Sequence, residues 1–585
     1  MRAAVVLHSI KDAEDCVRNK LYEGRILLST HPSVDVYLKE EHNLDCRCLS
    51  RFTSVGAVID QKKACSDMVD DLLIRLDRDL SPVLGERFGL KLDYFVSLYS
   101  YLGKYHLLPY LCFTDCVKKA VESLKPDKIY FYDFKFDSFL KTSTGMSDIA
   151  ERFFAGMAIE IITVSQSGGR LRKIFVKTSG WVKKIFSRGP KGIWAGIKLR
   201  LGMKDFGNGR FRPGRKSIVV NNPLFELDFL KEEMKKYNIF DPTADNGNAG
   251  PIPRSDLDIA GLAKDTDDPF IKLLLKDIDE DFRSGIKGYM ETVNAARAVK
   301  ESHGIDLGVW GIPPCWKGQA LVYEYLRTEA IKVVGAQHGC LYGDSFQPWH
   351  FDSDFKRCDY YLSYGFTADD LKRLYPDKKM GCEILPFGKV KSVKPGKTAK
   401  KLDILFPITN SISMLREEME VAMPHELTDA QIAILEYLNA IDGADVYVKP
   451  FAYSDRENCA AISLFKRLKN LNVVNNMTLM EFLAGHAPRA VVMELPSQPL
   501  FEVMHLDTEI FLMGTRVMPY EGNALKELTR RVHYSEDASG IIQKLELFLK
   551  GRLEKKRDNT FYDHYIHKEN TEKNISGLIS TMMCR

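Results

Sequence analysis

The sequence lacks the cysteine and apolar patterns that mark zinc-binding, secreted and membrane-spanning proteins. None of its 12 cysteines stands in a C-x-x-C pair, and the closest two, Cys46 and Cys48, do not have zinc-ligand spacing. No uninterrupted apolar stretch is long enough to span a bilayer. The opening apolar run soon meets Lys11 and Asp12, which is typical of a first strand and not of a signal peptide. We therefore expect free thiols and a cytoplasmic protein.

Two phosphate-binding signatures are also absent. There is no G-x-x-x-x-G-K-[ST] loop, and no G-x-G-x-x-G opens the first predicted helix. These absences argue against P-loop phosphotransfer and against a standard dehydrogenase. What is present is ordinary for a soluble globular protein, with 45% apolar and 28% charged residues. A chain of 585 residues is too long for one core, so about two to four domains are expected.

Charge is concentrated in one segment, residues 165 to 216. It contains fifteen lysines or arginines and one acid, Asp205, which gives +14, whereas the whole chain carries +4. Aromatic and aliphatic residues are interleaved at helical offsets, which suits either an anionic membrane surface or a solvated basic face packed on its domain. The residues predicted to contact a membrane, at the inner face of the cytoplasmic membrane, are Arg172, Lys173, Trp181, Lys183, Lys184 and Trp194. No base-reading motif accompanies the charge, so no nucleic-acid partner is expected.

Short apolar runs alternate with helical patterns, which is typical of parallel α/β sheets. Strands are predicted over residues 3–7, 25–29, 128–133, 307–311, 331–334, 359–365, 383–388, 402–407, 445–451, 472–474, 490–494 and 509–513. Helices are predicted, among other places, over residues 67–80, 268–302, 319–329 and 368–374. A lysine-, proline- and glycine-rich stretch beginning at Lys389 indicates a linker.

The predicted architecture is an α/β protein with two Rossmann-like parallel-sheet domains that face a cleft. The acceptor-side domain covers residues 1–392 and includes the basic segment, and a linker follows at 393–401. A nucleotide-donor domain covers residues 402–550, and a helical, partly mobile tail covers 551–585.

A polar, glycine-rich loop follows the strand predicted at 331–334. It contains Gln337, His338 and Gly339, with Asp344 a few residues later. Parallel sheets place ligands outside the carboxyl ends of their strands, and glycine permits close backbone approach. An ordinary turn with a hydrogen-bonded core histidine is the alternative. We predict that Gln337 and Gly339 contact the donor and that His338 is the catalytic base. Asp344 is either a second base or the group that orients His338.

Three side chains near the ends of successive strands in the second half suit a nucleotide-linked donor. Lys449 can pair with a phosphate, and Ser497 precedes a helix whose first N–H groups could receive phosphate oxygens. Glu502 could accept hydrogen bonds from ribose hydroxyls. Each residue also has an ordinary structural explanation. Lys449 would then be a surface cation, Ser497 a helix N-cap and Glu502 an acid in the first turn of a helix. Arg516 and Lys389 are lesser candidates for stabilising the leaving phosphate.

These residues together resemble the GT-B superfamily of nucleotide-sugar glycosyltransferases. More narrowly, they resemble bacterial surface-carbohydrate and capsule transferases with a Gln-His-Gly loop and, more distantly, CDP-glycerol glycerophosphotransferases and enzymes that use CMP-activated acidic sugars. The resemblance is carried by Val333 to Gly343, Asp359 to Gly365, Pro386 to Gly388, Val448 to Pro450 and Glu494 to Glu502. Many relatives have Lys-x-His-Pro where this chain has Lys449-Pro450-Phe451, so the second-domain histidine is missing.

The resemblance implies two Rossmann-like domains, an activated sugar donor and no obligatory metal or other cofactor. It implies a catalytic role for His338 and donor-side roles for Lys449, Ser497 and Glu502. Asp352-Ser353-Asp354 has the spacing of a D-x-D metal motif but not its strand-end context, so we expect no metal there.

We therefore predict transfer of a sugar from a nucleotide-activated donor to a surface-polysaccharide, glycan or lipid-linked acceptor. Three alternatives remain open: a nucleotide-sugar epimerase, a glycerophosphotransferase, and a non-catalytic, membrane-tethered component of a polysaccharide assembly complex.

Overall fold

The computed structural model describes most of the chain outside the basic segment. It covers residues 2–132, 159–164, 215–221, 237–240, 266–311, 318–389, 395–415, 421–569 and 571–584, and single positions between them. The six residues predicted to contact a membrane lie outside the described residues. Within the described ranges, no helix combines the length and apolar character needed to cross a bilayer.

The first sheet is parallel throughout, with the strand order β3-β2-β1-β4-β5. Its strands are β1 (Ala3–Leu7), β2 (Arg25–Ser29), β3 (Cys46–Cys48), β4 (Lys128–Tyr132) and β5 (Glu160–Val164). Helices α1 (Ile10–Arg18) and α2 (Pro32–His42) connect the first three strands. Ser9 and Asp12 form a capping box that fixes the start of α1 directly after β1.

Two long helices, α3 (Val55–Phe88) and α4 (Tyr94–Leu124), form a hairpin between β3 and β4. The sequence predicts only residues 67–80 of α3, and α4 is not predicted. The reason is that α4 is buried almost all round, so its apolar residues do not follow a one-sided pattern. Asp77 joins the two helices, because its carboxylate accepts the N–H groups of Phe95 (2.8 Å) and Val96 (2.7 Å) at the start of α4.

The second sheet has the order β11-β10-β9-β8-β6-β7 and is also parallel. Its strands are β6 (Ser217–Asn221), β7 (Asn238–Phe240), β8 (Leu307–Trp310), β9 (Val333–Ala336), β10 (Tyr360–Ser363) and β11 (Glu383–Pro386). The helices are α5 (Pro269–His303), α6 (Gly318–Thr328) and α7 (Ala368–Leu374). Gly335 in β9 has to be glycine, since a Cβ there would overlap the buried Trp310 ring.

The third sheet has the order β14-β13-β12-β15-β16-β17, with all pairs parallel. Its strands are β12 (Lys400–Ile408), β13 (Val446–Pro450), β14 (Asn472–Val473), β15 (His486–Met493), β16 (Glu509–Met513) and β17 (His533–Ser535). Its helices are α8 (Pro424–Asn439), α9 (Ala461–Leu464), α10 (Leu479–Gly485), α11 (Gln498–Val503), α12 (Gly522–Arg531) and α13 (Ala538–Leu549). In chain order this is 3-2-1-4-5-6, the arrangement of doubly wound nucleotide-binding sheets.

The predicted α/β class with Rossmann-like parallel sheets is confirmed, but the described residues form three sheets. Residues 1–392, which the sequence assigns to one acceptor-side domain, contain two of them. Local hydrophobic patterns identify strands without saying which strands pair, so the change of sheet between β5 and β6 is not predicted. The domain boundaries themselves remain predictions.

The first and third sheets are held together at their loops. The N–H of Met414, after β12, donates to the carbonyl of Thr30, after β2 (3.0 Å). The N–H of Ile10 donates to the Glu457 carboxylate (3.1 Å), and Arg51 pairs with Asp429 across the same junction. The loops of the third sheet therefore contact both other sheets.

A C-terminal segment, α14 (Thr560–Tyr565) and α15 (Thr571–Cys584), returns to the second sheet. The imidazole of His564 lies 3.2 Å from the Asp370 carboxylate, which raises the pKa of the histidine. The Lys389 N–H donates to the carbonyl of Ile566 (2.7 Å). Gly365, at the end of β10, packs directly under this segment.

We expect Gly365→Ala to destabilise the docked C-terminal segment. A Cβ at this position would overlap the backbone carbonyl of His564, and backbone cannot move aside as a flexible side chain can. Overpacking of this kind costs about 1–3 kcal/mol or more. Limited proteolysis and thermal unfolding should show faster cleavage within 551–584 and a lower Tm. Gly485→Ala is the control, because its Cβ would meet nothing within 4 Å. Equal behaviour of the two variants would contradict this packing.

Candidate functional site

Gln337 holds the loop after β9 in shape. Its backbone N–H donates to the carbonyl of Leu362 (2.8 Å), and its side-chain amide donates to the carbonyl of Gly339 (2.7 Å). The amide oxygen accepts the N–H of Tyr364 (2.7 Å). With both ends of the amide engaged by backbone, Gln337 fixes the loop against β10 and thereby positions His338. Its predicted donor contact, like that of Gly339, stays a prediction.

His338 is the partly exposed member of a buried polar group. Its side chain is 27% exposed, and its ring nitrogens lie 2.8 and 2.9 Å from the hydroxyl of Tyr342. The carboxylate of Asp354 lies 3.9 Å from Nδ1. Desolvation lowers the pKa of His338 to about 4. The imidazole is therefore neutral near pH 7 and can accept a proton.

Asp354 occupies the place beside His338 that the sequence gives to Asp344. Asp354 is fully buried and accepts hydrogen bonds from the hydroxyls of Ser353 (2.5 Å) and Tyr361 (3.2 Å). Burial raises its pKa to about 7. The carboxylate that the structure places near the imidazole belongs to Asp354, and an orienting role for Asp344 stays a prediction.

The other aspartate of the D-x-D spacing, Asp352, is committed to ion pairs. Its carboxylate lies 2.6 Å from the ammonium groups of both Lys104 and Lys356. Lys104 is itself fully buried in α4 and also pairs with Asp70. Asp352 thus ties the loop to the helical hairpin. In the parts of the chain that the structure describes, no group of three or more His, Cys, Asp or Glu has a metal-binding arrangement.

Asp344 is a buried carboxylate in a different environment. It is 2% exposed, and neither carboxylate oxygen has a hydrogen-bond partner among the described residues. Burial raises its pKa to about 7. Its carbonyl accepts the N–H of Glu521 (2.8 Å), and the adjacent Ser345 forms an antiparallel bridge with Tyr520. Asp344 therefore lies where the second sheet's loop meets the segment after β16, and its role as a second base stays a prediction.

Lys449 is buried at the end of β13, not exposed as an ordinary surface cation would be. It is 4% exposed, and its ammonium donates to the carbonyl of Pro450 (3.0 Å). Burial lowers its pKa, while Glu481 and Glu502 act in the opposite direction. Glu502 is thus close enough to Lys449 to interact with it electrostatically, as the predicted donor site requires.

Ser497 occupies the N-cap position of α11, but its side chain makes no capping hydrogen bond. The Ser497 hydroxyl therefore does not act as the ordinary helix cap that was the alternative to phosphate binding. Because α11 has only six residues, the contribution of its dipole to anion binding is small. Arg516 pairs with Glu426 at a cavity of about 590 Å³ that is also lined by Glu494 and Glu536.

The loop after β9 and helix α11 face each other between the second and third sheets. Burial raises the pKa of the Cys340 thiol, Asp344 and Glu502 raise it further, and Lys389 lowers it. The rings of Tyr364 and Phe501 meet edge to face, with centroids 6.3 Å apart. Candidate residues from the two halves of the chain therefore gather at one cleft.

Glu494 is a residue of this region to which the sequence gives no individual role. Its carboxylate accepts the N–H of Thr409 (2.5 Å) and the side-chain amide of Gln431 (3.1 Å), and burial raises its pKa. It thereby joins the ends of β12 and β15, the neighbouring strands at which the strand order of the sheet reverses. Ligands of open α/β sheets bind at such a point. An acid directly after an apolar strand is the signal that indicates it.

Together, the fold and site define an α/β protein of Rossmann-like parallel sheets, in which the loop after β9 of the second sheet lies close to helix α11 of the third. The sequence matches no protein-family profile and no curated protein. Among solved structures, it is similar to a UDP-GlcNAc 2-epimerase from Neisseria meningitidis bound to UDP-GlcNAc (10% identity, 63% of this chain and 99% of that one, TM-score 0.35).

Two glycosyltransferase-type structures are similar to the same extent. MurG from Acinetobacter baumannii matches at 9% identity, over 63% of this chain and 99% of that one, with a TM-score of 0.35. The glycosyltransferase SnogD from Streptomyces nogalater matches at 11% identity, over 63% and 99%, with a TM-score of 0.32. The α/β fold is established by the strand pairings above, independently of these likenesses.

Proposed function

We propose that this protein is a glycosyltransferase that moves a sugar from a nucleotide-activated donor to a surface-polysaccharide or glycolipid acceptor, without a metal. The observation that carries the proposal is that Glu502 interacts electrostatically both with Cys340, two residues after His338 in the loop after β9, and with Lys449 at the end of β13. This arrangement suits a reaction in which one domain holds the acceptor and the other holds the donor.

In the proposed reaction, His338 removes the proton from the acceptor hydroxyl as it attacks the anomeric carbon. A neutral imidazole is required for this step. Desolvation lowers the pKa of His338 to about 4, which keeps the ring neutral at pH 7 but makes it a weaker base than a histidine of ordinary pKa. Asp354 and Tyr342 keep the ring in place. The imidazolium formed during the reaction is stabilised by the Asp354 carboxylate in its ionised form.

On the donor side, Lys449 neutralises charge on the departing nucleotide phosphate, with the hydroxyl of Ser497 as a further donor. A buried ammonium is more effective than an exposed one, because water screens its charge less. Glu502 accepts hydrogen bonds from the ribose. The basic segment 165–216 would hold the protein on an anionic membrane surface near a lipid-linked acceptor.

The proposal predicts that one nucleotide stabilises the protein. A ligand that binds only the native state raises its apparent stability by about 2.7 kcal/mol at 100 times Kd. We expect one of CMP, CDP, UDP, GDP or TDP to raise the Tm of the wild type. Lys449→Met and Ser497→Ala should reduce or abolish this shift, and Lys469→Ala, which removes an exposed lysine of the same sheet, should retain it.

Absence of any shift in a folded wild-type protein would contradict the proposal and favour a non-catalytic role. If a nucleotide binds, incubation with its sugar derivatives separates the enzyme classes. Release of the nucleotide that depends on an added glycan acceptor, with the sugar joined to that acceptor, supports transfer. Interconversion of the nucleotide sugar without acceptor would identify an epimerase instead.

A further inference from the structure

Two aromatic side chains are presented to solvent at the end of β13, next to Lys449. Phe451 is 67% exposed and Tyr453 is 56% exposed, whereas the neighbouring Lys449 is 4% exposed. Tyrosine and phenylalanine normally bury most of their ring surface. Two exposed rings therefore stand within four residues of the candidate phosphate-binding cation along the chain.

The turn that carries these rings is fixed in place. Tyr453 has φ +63°, in the left-handed region that bulky residues rarely adopt. Its N–H donates to the carbonyl of Asn475 (2.7 Å), and the N–H of Ser454 donates to the carbonyl of Phe451 (3.1 Å). The Ser454 hydroxyl donates to Asn410, after β12 (2.7 Å). Residues with such strained backbone persist where surrounding structure holds them, and they cluster at ligand sites.

The position of the patch in the sheet limits what it can bind. β13 is the second strand of the 3-2-1-4-5-6 order, and in such sheets the carboxyl end of this strand lies beside the nucleoside of a bound nucleotide. Lys449 supplies a cation for a phosphate, and Glu502, which interacts electrostatically with Lys449, supplies an acceptor for ribose. The remaining part of a nucleotide is its planar base, and aromatic side chains bind bases by stacking.

We propose that Phe451 and Tyr453 form a stacking platform for the base of the donor nucleotide. This inference rests on the proposed function and adds a residue-level account of base binding to it. Stacking tolerates different bases, so the platform contributes affinity, while the identity of the base is read elsewhere. The hydrogen bonds of the turn hold Tyr453 in its left-handed conformation just after the carboxyl end of β13.

The test compares nucleotides with a ligand that has no base. Affinities of the full-length protein for CMP, UMP, GMP and ribose 5-phosphate would be measured by calorimetry for the wild type, Phe451→Ala and Tyr453→Gly. Each substitution should weaken binding of the preferred nucleotide about 5- to 150-fold, the range for loss of one stacking contact, and leave ribose 5-phosphate unchanged. Leu549→Ala, which removes an exposed apolar side chain of α13, should change neither affinity.

Thermal unfolding separates this role from a structural one. Tyr453→Gly removes a strained residue, so its Tm without ligand should equal or exceed that of the wild type. Unchanged nucleotide affinity in both variants would overturn the platform. Equal loss for nucleotide and ribose 5-phosphate, or loss only for nucleotide sugars, would overturn it as well. A wild type that binds none of the nucleotides would instead refute the proposed function on which this inference rests.

Discussion

Replacing His338 by glutamine is expected to lower the rate of sugar transfer by about 10²- to 10⁴-fold, the usual contribution of a general base. Glutamine keeps a polar side chain in the loop but cannot take up a proton. The nucleotide-induced Tm shift should remain, because Lys449 and Glu502 are intact. Transfer to an acceptor, measured by product formation, is the readout. His303→Gln, at an exposed histidine of α5, is the matched control.

The pH dependence of the wild type identifies the base. A base acts in its unprotonated form, so the rate rises as pH rises through its pKa and is constant above it. With the pKa of His338 lowered to about 4, protonation of the base itself lowers the rate only in acid, and ionisation of Asp354, whose pKa is about 7, adds a partial rise of the rate near pH 7. The pKa of Asp344 is raised to about 7. A rate that rises to half its maximum near pH 7 would therefore assign the base to Asp344, if this pH dependence disappears in Asp344→Asn and remains in His338→Gln.

Arg531→Met is expected to cause the largest loss of stability, roughly 3–5 kcal/mol. Arg531 is 1% exposed and donates to four backbone carbonyls, at distances from 2.8 to 3.3 Å. These carbonyls belong to Met504, Leu506, Thr508 and Lys556. Methionine fills similar volume but leaves the carbonyls without their donor. Thermal or denaturant unfolding of purified protein measures the effect.

The neighbouring arginine provides the control for this prediction. Arg530 is about half exposed and lies 4.0 Å from Asp558, so Arg530→Ala should cost less than about 1 kcal/mol. Similar losses for the two variants would show that Arg531 does not hold the segment. Since that segment connects α11 to β16, Arg531→Met should also weaken nucleotide binding through Ser497 and Glu502, even at temperatures where the variant is folded.

Much of the third sheet could be predicted from sequence, because its strands are short apolar runs between clear helical patterns. The prediction for β16 agrees with the structure at both ends, Glu509 and Met513, and the strand that carries Lys449 is placed within a residue. Strand pairing across long insertions could not be predicted in the same way. The first and second sheets are therefore merged in the sequence-based architecture, and the hairpin α3–α4 is not predicted.

The candidate site was predictable where a polar residue directly follows a strand, as His338 and Lys449 do. Asp354 could not be assigned its place beside His338 from sequence, since a helical turn and a wider π turn bring it back under the loop. The burial of Lys449 could not be predicted from sequence either, because a lysine at the end of a strand is usually solvated. In the structure Lys449 is enclosed by the third sheet and by acids from α10 and α11.

The docking of α14 and α15 on the second sheet has a consequence for how the chain is made. The loop that ends at Gly365 leaves the ribosome long before His564, the residue that covers it. Domains begin to fold in order of synthesis, and contacts distant in sequence form late. The second sheet must therefore wait, with this edge uncovered, until the segment that contains His564 has been translated. Ribosome stalling between residues 551 and 560 should yield nascent chains that chaperones bind at this edge, and extending the stall past residue 584 should release them.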